Sequence, residues 1–357
     1  MRKPTIGMLG SHSAEEIGVA AKSNGFSTVV VCQKGREKFY DHYNKHLYDE
    51  VIILDNFGDL IHDEIQEKLK ELDVLWIPNR SFSVYVGYDQ IENEFQLPIY
   101  GNRKILRVEE RGFPRDQYWL LRESGIRIPK SYQPDEIDTL VIVKVQQKDR
   151  PLERAFFYAY NPEDYQQNAT KLLTSGTIDE ADLKNAIIEE FIVAPRFNAN
   201  FQAYGIEDKF GSLDFVGFDD RIQTNLTGLL NLPAEEQLKL NIVPMNEEIG
   251  HKGVTMRESK KPLVYQAAEN LLEGVKKHFP PKMIGLFSLQ GAITEDSEFI
   301  VFDLSPRVPG APCVGPTSPE MRRLTLKLNR LVQSPLDLCM IDIEEAVREK
   351  RLEDITT

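Results

Sequence analysis

Ile284-Gly285-Leu286-Phe287-Ser288-Leu289-Gln290 and, further on, Phe302-Asp303-Leu304-Ser305-Pro306-Arg307 decide how the rest of the chain is read. Both runs are largely apolar, and the first carries the amide of Gln290 and the second the carboxylate of Asp303. Strands over Gly285 to Ile293 and Glu298 to Leu304, joined by the turn Glu295-Asp296, make a hairpin that brings Gln290 and Asp303 to one point. An amide and a carboxylate held together supply some of the oxygens that magnesium takes, the others coming from phosphate. The plainer alternative is a salt-bridged Asp303, paired with Arg307.

Ahead of this hairpin the pattern stays of hairpin type. Strands are expected at Leu140 to Val145, Ala155 to Tyr160, Ala186 to Val193, Asn198 to Tyr204 and Ser212 to Gly217, with Asn161-Pro162 opening a helix and another helix over Leu263 to His278. A long irregular stretch is expected through Pro244 and Gly250, and loops of that length usually carry function. Lys144 closes the apolar run Val141-Ile142-Val143-Lys144, and a half-buried lysine calls for an anionic partner, with a lysine reaching out at a sheet edge as the equal alternative. Glu189-Glu190 brings two carboxylates to the end of another apolar strand. The carboxy-terminal third reads as mostly helical.

The first hundred residues are of another kind. Short apolar strands at Pro4 to Leu9, Phe26 to Cys32, Glu50 to Leu54 and Val74 to Pro78 alternate with helices such as Ala14 to Asn24 and Leu60 to Leu72, the sign of a parallel sheet covered by helices. Leu97 to Asn102 is expected as the last strand, which sets a boundary near Gly101, between a domain over 1–101 and one over 102–357 whose lid-like part is about 130–195. Ligands bind at the carboxyl ends of parallel strands, where Gly10-Ser11-His12-Ser13 and the small-residue loop Asn79-Arg80-Ser81-Phe82-Ser83 fall. An ordinary helix cap at Ser11 or Ser13 is an equal alternative for the first loop, and a solvated turn is the favoured one for the second.

A chain of 357 residues with 41% hydrophobic and 28% charged residues is long enough for cooperating subdomains around a cleft. The net charge of -13 speaks against binding nucleic acid or anionic membranes through bulk charge. No apolar run reaches membrane-spanning length and no signal-peptide pattern opens the chain, so a cytoplasmic protein is expected. Cys32, Cys313 and Cys339 are too few and scattered for a disulfide framework or zinc site. No Walker loop or strand-linked G-x-G-x-x-G is present.

In order and spacing these pieces resemble, over nearly the whole chain, the formaminoimidazole-carboxamide ribonucleotide synthetases, ATP-grasp ligases of archaeal purine biosynthesis. Gly10 to Ala14 is similar to that family's amino-terminal substrate loop, Ser81-Phe82 to its second one, and Tyr100-Gly101-Asn102 to Leu106 to the entry into the grasp domain. Val141 to Lys144 is similar to the strand bearing the nucleotide lysine, Glu190-Phe191 to the adenine hinge, Met256-Arg257-Glu258-Ser259 to an internal arginine motif, and the opening pair of strands to the metal-bearing strands. The resemblance implies an α/β plus α+β chain, an ATP-grasp fold behind a Rossmann-like parallel-sheet domain. It implies ATP on Lys104, Lys144, Glu189, Glu190, Ile192 and Gln223, with magnesium or manganese on Gln290 and Asp303. It implies the aminoimidazole-carboxamide ribonucleotide, AICAR, on Gly10, Ser11, His12, Ser13, Ser81 and His251, and Arg257 and Arg307 as catalytic cations.

The implied reaction is ATP- and formate-dependent formylation of AICAR to FAICAR, on the way to IMP, through formyl phosphate. The implied partners are small molecules and further copies of the chain. Three departures from the family pattern bear on this. Gln290 and Asp303 stand where glutamates are usual, so metal binding is expected to survive but weaken. Gln146 to Arg154 has no glycine where the family has a glycine-rich lid, although Lys148, Arg150 and Arg154 keep positive charge. His251 and Gln223 replace an expected asparagine and glutamate. A ligase for another carboxylate and amine, or a paralogue that binds a nucleotide without catalysis, are the rival readings.

Overall fold

The computed structural model describes residues 2–144, 156–240, 248–309 and 314–357. Strands β1 (Thr5–Leu9), β2 (Thr28–Gln33), β3 (Glu50–Leu54) and β4 (Val74–Trp76) form a parallel sheet in the order β3-β2-β1-β4. Every residue of β1 is buried, because both faces of the sheet are covered and neither strand face can be polar. One face packs Val29, Val31 and Trp76 against Phe82 and Ile91. The other packs Ile6, Met8 and Val30 against the helix Ala14–Ser23 and, from the far end of the chain, the helix Pro335–Glu349. This second cluster crosses position 101 freely.

The remaining strands are antiparallel. β5 (Val141–Lys144), β6 (Phe156–Ala159) and β7 (Ile187–Glu190) form a three-stranded sheet in the order β6-β5-β7. β8 (Arg196–Ala203), β9 (Leu213–Gln223), β10 (Glu248–Val254), β11 (Gly285–Ile293) and β12 (Phe299–Ser305) form a five-stranded sheet in the order β10-β9-β8-β11-β12. On β8 the period-two alternation sends Phe197, Ala199, Phe201 and Ala203 into a core closed by the helices Gln117–Glu123 and Lys261–His278. Asn198, Asn200 and Gln202 face the other way and are also buried.

Four expectations are corrected. Leu97 to Asn102 is no strand: Pro98 has no amide hydrogen to donate, and the contact with β4 is reduced to a bridge between Trp76 and Ile99. Asn79 to Ser83 is not a loop, because Asn79 Oδ1 accepts the Phe82 N–H at 3.0 Å and starts the helix Arg80–Val86. Leu60 to Leu72 is split, since His62 is extended and separates a 3-10 turn, Phe57–Ile61, from the helix Asp63–Glu71. The stretch after Gly217 carries regular elements on both sides of residues 241–247, which include Pro244 and lie outside the described residues. β9 runs on to Gln223, two short helices follow at Thr224–Leu229 and Ala234–Lys239, and β10 pairs back on β9. β10 is an edge strand with two glycines and no alternating pattern, so periodicity gives it no signal.

Candidate active site

The face of the five-stranded sheet turned away from its apolar core is polar across its width. Register places Asp303 opposite Gln290, Gln290 opposite Asn198, and Asn198 opposite Asp219, so four strands contribute one side chain each to a single row. One step along, Arg221 lies opposite His251. The expected convergence of Gln290 and Asp303 is therefore present. Arg307 is not the partner of Asp303: it donates Nε (3.1 Å) and Nη2 (2.5 Å) to Glu109 as a buried bidentate pair. Among the described residues Asp303 pairs instead with Arg221, whose Nη2 lies 3.9 Å from Oδ2 while its Nε lies 2.9 Å from Glu248 Oε2.

His251 sits between two carboxylates, Nδ1 2.6 Å from Asp219 and Nε2 2.6 Å from Glu248. Burial opposes its charge, but the bonds to Asp219 and Glu248 outweigh burial and raise its pKa to about 9. His12 has the opposite state. Crowding by the protein, then the positive charges of Arg307, His251 and Arg80, bring it down to about 4 against a smaller pull from Glu248. Ser13, beside it in the loop after β1, lines one recess with Asn200, which brings that loop to the polar face. Gly10 opens that loop because a Cβ there would lie 2.7 Å from Cys32 Cβ. Ser13, at φ 66°, turns the chain into the first helix, and its hydroxyl is 3.1 Å from His12 Nδ1. Ser11 Oγ accepts from Arg36 at 3.4 Å.

A second cluster lies on the three-stranded sheet. Lys144 on β5 donates to Glu189 on β7, so the lysine has an anionic partner within the protein. Arg111 completes it, with Nη1 3.5 Å from Glu189 Oε1 and its guanidinium 4.5 Å from the Tyr118 ring centre. Arg111 also donates to the carbonyl of Phe302, next to Asp303, and so ties this cluster to the polar row. Glu189 and Glu190 do not converge: Glu190 faces away, bound by Arg127 Nη2 at 2.7 Å and the Lys130 N–H at 3.1 Å. Ile192 belongs to a small apolar cluster with Ala292, Ile300 and half-buried Phe302.

The other expected residues are more dispersed. Ser81 is buried in the first turn of its helix, at the same sheet edge as His12. Gln223 closes β9, opposite Glu248. Lys104 and Arg257 are exposed, the first in the 3-10 turn Arg103–Glu109 and the second just past β10. The stretch Gln146 to Arg154 lies outside the described residues. Arg111, Asp219, Arg221 and Glu248 were absent from the expected set. The signal that could have pointed there is the alternation Asn198, Asn200, Gln202 in a strand whose other face is aromatic and aliphatic.

Residues 164–357 match a family described as a domain of unknown function, DUF1297, and residues 6–132 one described as a protein of unknown function, DUF1246. Curated relatives share the length. The 5-formaminoimidazole-4-carboxamide-1-(beta)-D-ribofuranosyl 5'-monophosphate synthetase of Methanocaldococcus jannaschii is 39% identical over 307 residues, 86% of this chain and 82% of that protein. Its namesake in Methanopyrus kandleri is 38% identical over 308 residues, 86% and 83% of the two. Among solved structures, an IMP biosynthesis protein PurP from Thermococcus kodakaraensis superposes with a TM-score of 0.70 at 20% identity, over 99% of this chain and 100% of that one. An ADP complex of purK, an N5-carboxyaminoimidazole ribonucleotide synthetase, gives 0.57 at 13% identity, over 87% and 71%.

Proposed function

The chain belongs to the family of 5-formaminoimidazole-4-carboxamide-1-(beta)-D-ribofuranosyl 5'-monophosphate synthetases, and from that premise we propose how its own residues divide the work. It is an ATP-dependent carbon–nitrogen ligase of purine biosynthesis, with the ATP-grasp fold behind a parallel-sheet domain. The reaction is formylation of the AICAR amine. The observation that carries the assignment of roles is the recess that Ser13, from the parallel-sheet edge, shares with Asn200, on the polar face whose row ends in Asp303.

ATP lies between the two antiparallel sheets. Ile192 and Phe302 would hold its adenine, and Lys144 and Arg111, which Glu189 holds in place, would meet its phosphates. Among the described residues there is no group of three or more His, Cys, Asp or Glu that could hold a metal ion by itself. The amide–carboxylate pair Gln290 and Asp303 suits magnesium that takes its other oxygens from the nucleotide. Magnesium there supplies charge neutralisation at the phosphoryl group.

AICAR approaches from the other side, its ribonucleotide part against Gly10 to Ser13 and Ser81. Neutral His12 accepts or donates a hydrogen bond without adding charge, whereas the His251 imidazolium and Arg307 offer positive charge to the phosphoryl oxygens as formate is activated to formyl phosphate. Arg307 is held for this by Glu109. Arg221 is better placed than exposed Arg257 to act beside Asp303.

No helix among the described residues is long and apolar enough to cross a membrane. We place the protein in the cytoplasm as a homo-oligomer. The test is phosphate release with ATP and magnesium, adding formate and AICAR singly and together, with the product weighed by mass spectrometry. Release that requires both, with FAICAR formed, supports the synthetase reading. Binding of nucleotide without turnover overturns it in favour of a non-catalytic paralogue.

A further inference from the structure

Asp219 has no exposed surface and receives three hydrogen bonds, from Asn198 Nδ2 (2.7 Å), Asn200 Nδ2 (2.6 Å) and His251 Nδ1 (2.6 Å). An ionised carboxylate only accepts, so both asparagine amides turn their nitrogens toward it and their oxygens away. A further bond from Asn200 Nδ2 to the carbonyl of Gly217 at 3.3 Å leaves that amide no reason to flip. Its Oδ1 is thereby fixed as an acceptor, yet it has no partner among the described residues although Asn200 is 1% exposed. Directly across on β11 stands Ser288, 5% exposed, whose hydroxyl also has no partner among the described residues. Asn200 lines a small, mostly apolar recess together with Ser13, Leu286 and Val308, and Ser288 stands beside it on β11.

Leaving two such groups unpaired in a native protein costs stability unless something completes them. A fixed acceptor beside a hydroxyl that can donate is the complement of a primary carboxamide, whose NH2 gives to Asn200 Oδ1 while its carbonyl accepts from Ser288 Oγ. The recess also lies between the loop expected to hold the ribonucleotide and the row that ends at Asp303. We propose that Asn200 and Ser288 form a carboxamide subsite, with Asp219 as the positioning residue that fixes the Asn200 amide. The assignment rests on the synthetase reading for the identity of the ligand. A carboxylate in the same place still accepts from Ser288, but sets negative charge against Asn200 Oδ1 with nothing to donate. The subsite therefore separates the carboxamide ribonucleotide from its 4-carboxylate analogue.

The test is calorimetric titration of the full-length protein with each of these two ribonucleotides, which needs no turnover. Wild type binds the carboxamide at least about a hundredfold more tightly than the carboxylate, as expected of a site built around a donor–acceptor pair. Ser288→Ala leaves ATP affinity in place and the fold intact, and weakens carboxamide binding about tenfold. Asn200→Ala abolishes the preference between the two ligands. Preference retained in both variants overturns the proposal and leaves the recess as a site for structural water. Phosphate release, measured in parallel, separates the two readings. Turnover with an unaltered preference in the variants sinks the subsite alone, and a preference set by Asn200 and Ser288 without turnover sinks the synthetase reading alone.

Discussion

At the scale of single residues, the departures from the family pattern are where behaviour is most open to test. Gln290→Glu places a second carboxylate opposite Asp303, and ligand charge tunes metal affinity. The magnesium concentration for half-maximal nucleotide binding should fall about tenfold, a change of roughly 1.4 kcal/mol. The same variant should melt earlier than wild type without metal, because the two carboxylates repel, and recover when magnesium is added. Equal magnesium dependence in both proteins removes Gln290 from the metal shell.

The two histidines predict opposite pH effects. His251 has its folded pKa raised from 6.5 to about 9, so its contribution to stability is complete below about 6.5 and is lost as pH rises through about 9. His12 is lowered to about 4, so its contribution is present above 6.5 and is lost as pH falls toward 4. Thermal unfolding against pH should show the alkaline step disappear in His251→Asn and the acid one shrink in His12→Asn. An alkaline step that persists without His251 assigns it to another group. Residue types were legible here, since both histidines stand out in the sequence, but their charge states come from Asp219, Glu248 and Arg307, which lie far off along the chain.

Among elements, the hairpin of β11 and β12 was the clearest from sequence, because two apolar runs around a turn leave little choice of pairing. What the sequence hid was its bulge. The register slips between Gln290 and Gly291, and this keeps Gln290 opposite Asp303. A Cβ on Gly291 would lie 2.5 Å from the carbonyl oxygen of Ile300 and 2.5 Å from the Phe299 ring. The first of these is backbone, so the strands must part. Gly291→Ala should cost about 1–3 kcal/mol, lowering Tm by about 1–4 °C, and should raise the magnesium requirement because Gln290 moves with the strand. A variant that loses stability but keeps its magnesium requirement would separate the bulge from the metal pair. β10 shows the converse of legibility: an edge strand held by Asp219, Arg221 and its own glycines leaves no periodic trace, yet it delivers His251 and Glu248 to the site.

At the scale of the whole molecule, the division at Gly101 read from the sequence follows the change from parallel to antiparallel sheet, while the packing ignores it. A pattern of alternating strands and helices shows which elements a layer contains but not which distant helix closes it, and here that helix is Pro335–Glu349. Its Asp342, fully buried, accepts the N–H groups of Gly205 (2.9 Å) and Ile206 (3.2 Å) and the hydroxyl of Tyr100 (3.0 Å). Tyr100 in turn accepts from Gln202, beyond Asn200 on the polar face of β8. One carboxylate thus joins the carboxy-terminal helix, the boundary segment and the sheet that carries the site. Asp342→Ala strands three buried donors, an expected loss of about 3 kcal/mol or more. Because one core spans both halves, urea unfolding should remain a single transition in wild type, with near- and far-ultraviolet circular dichroism coincident. In the variant the midpoint should fall, and nucleotide affinity should fall with it if the cleft depends on this joint. Two separate transitions in wild type would mean that the halves fold independently and that Asp342 only fastens them together.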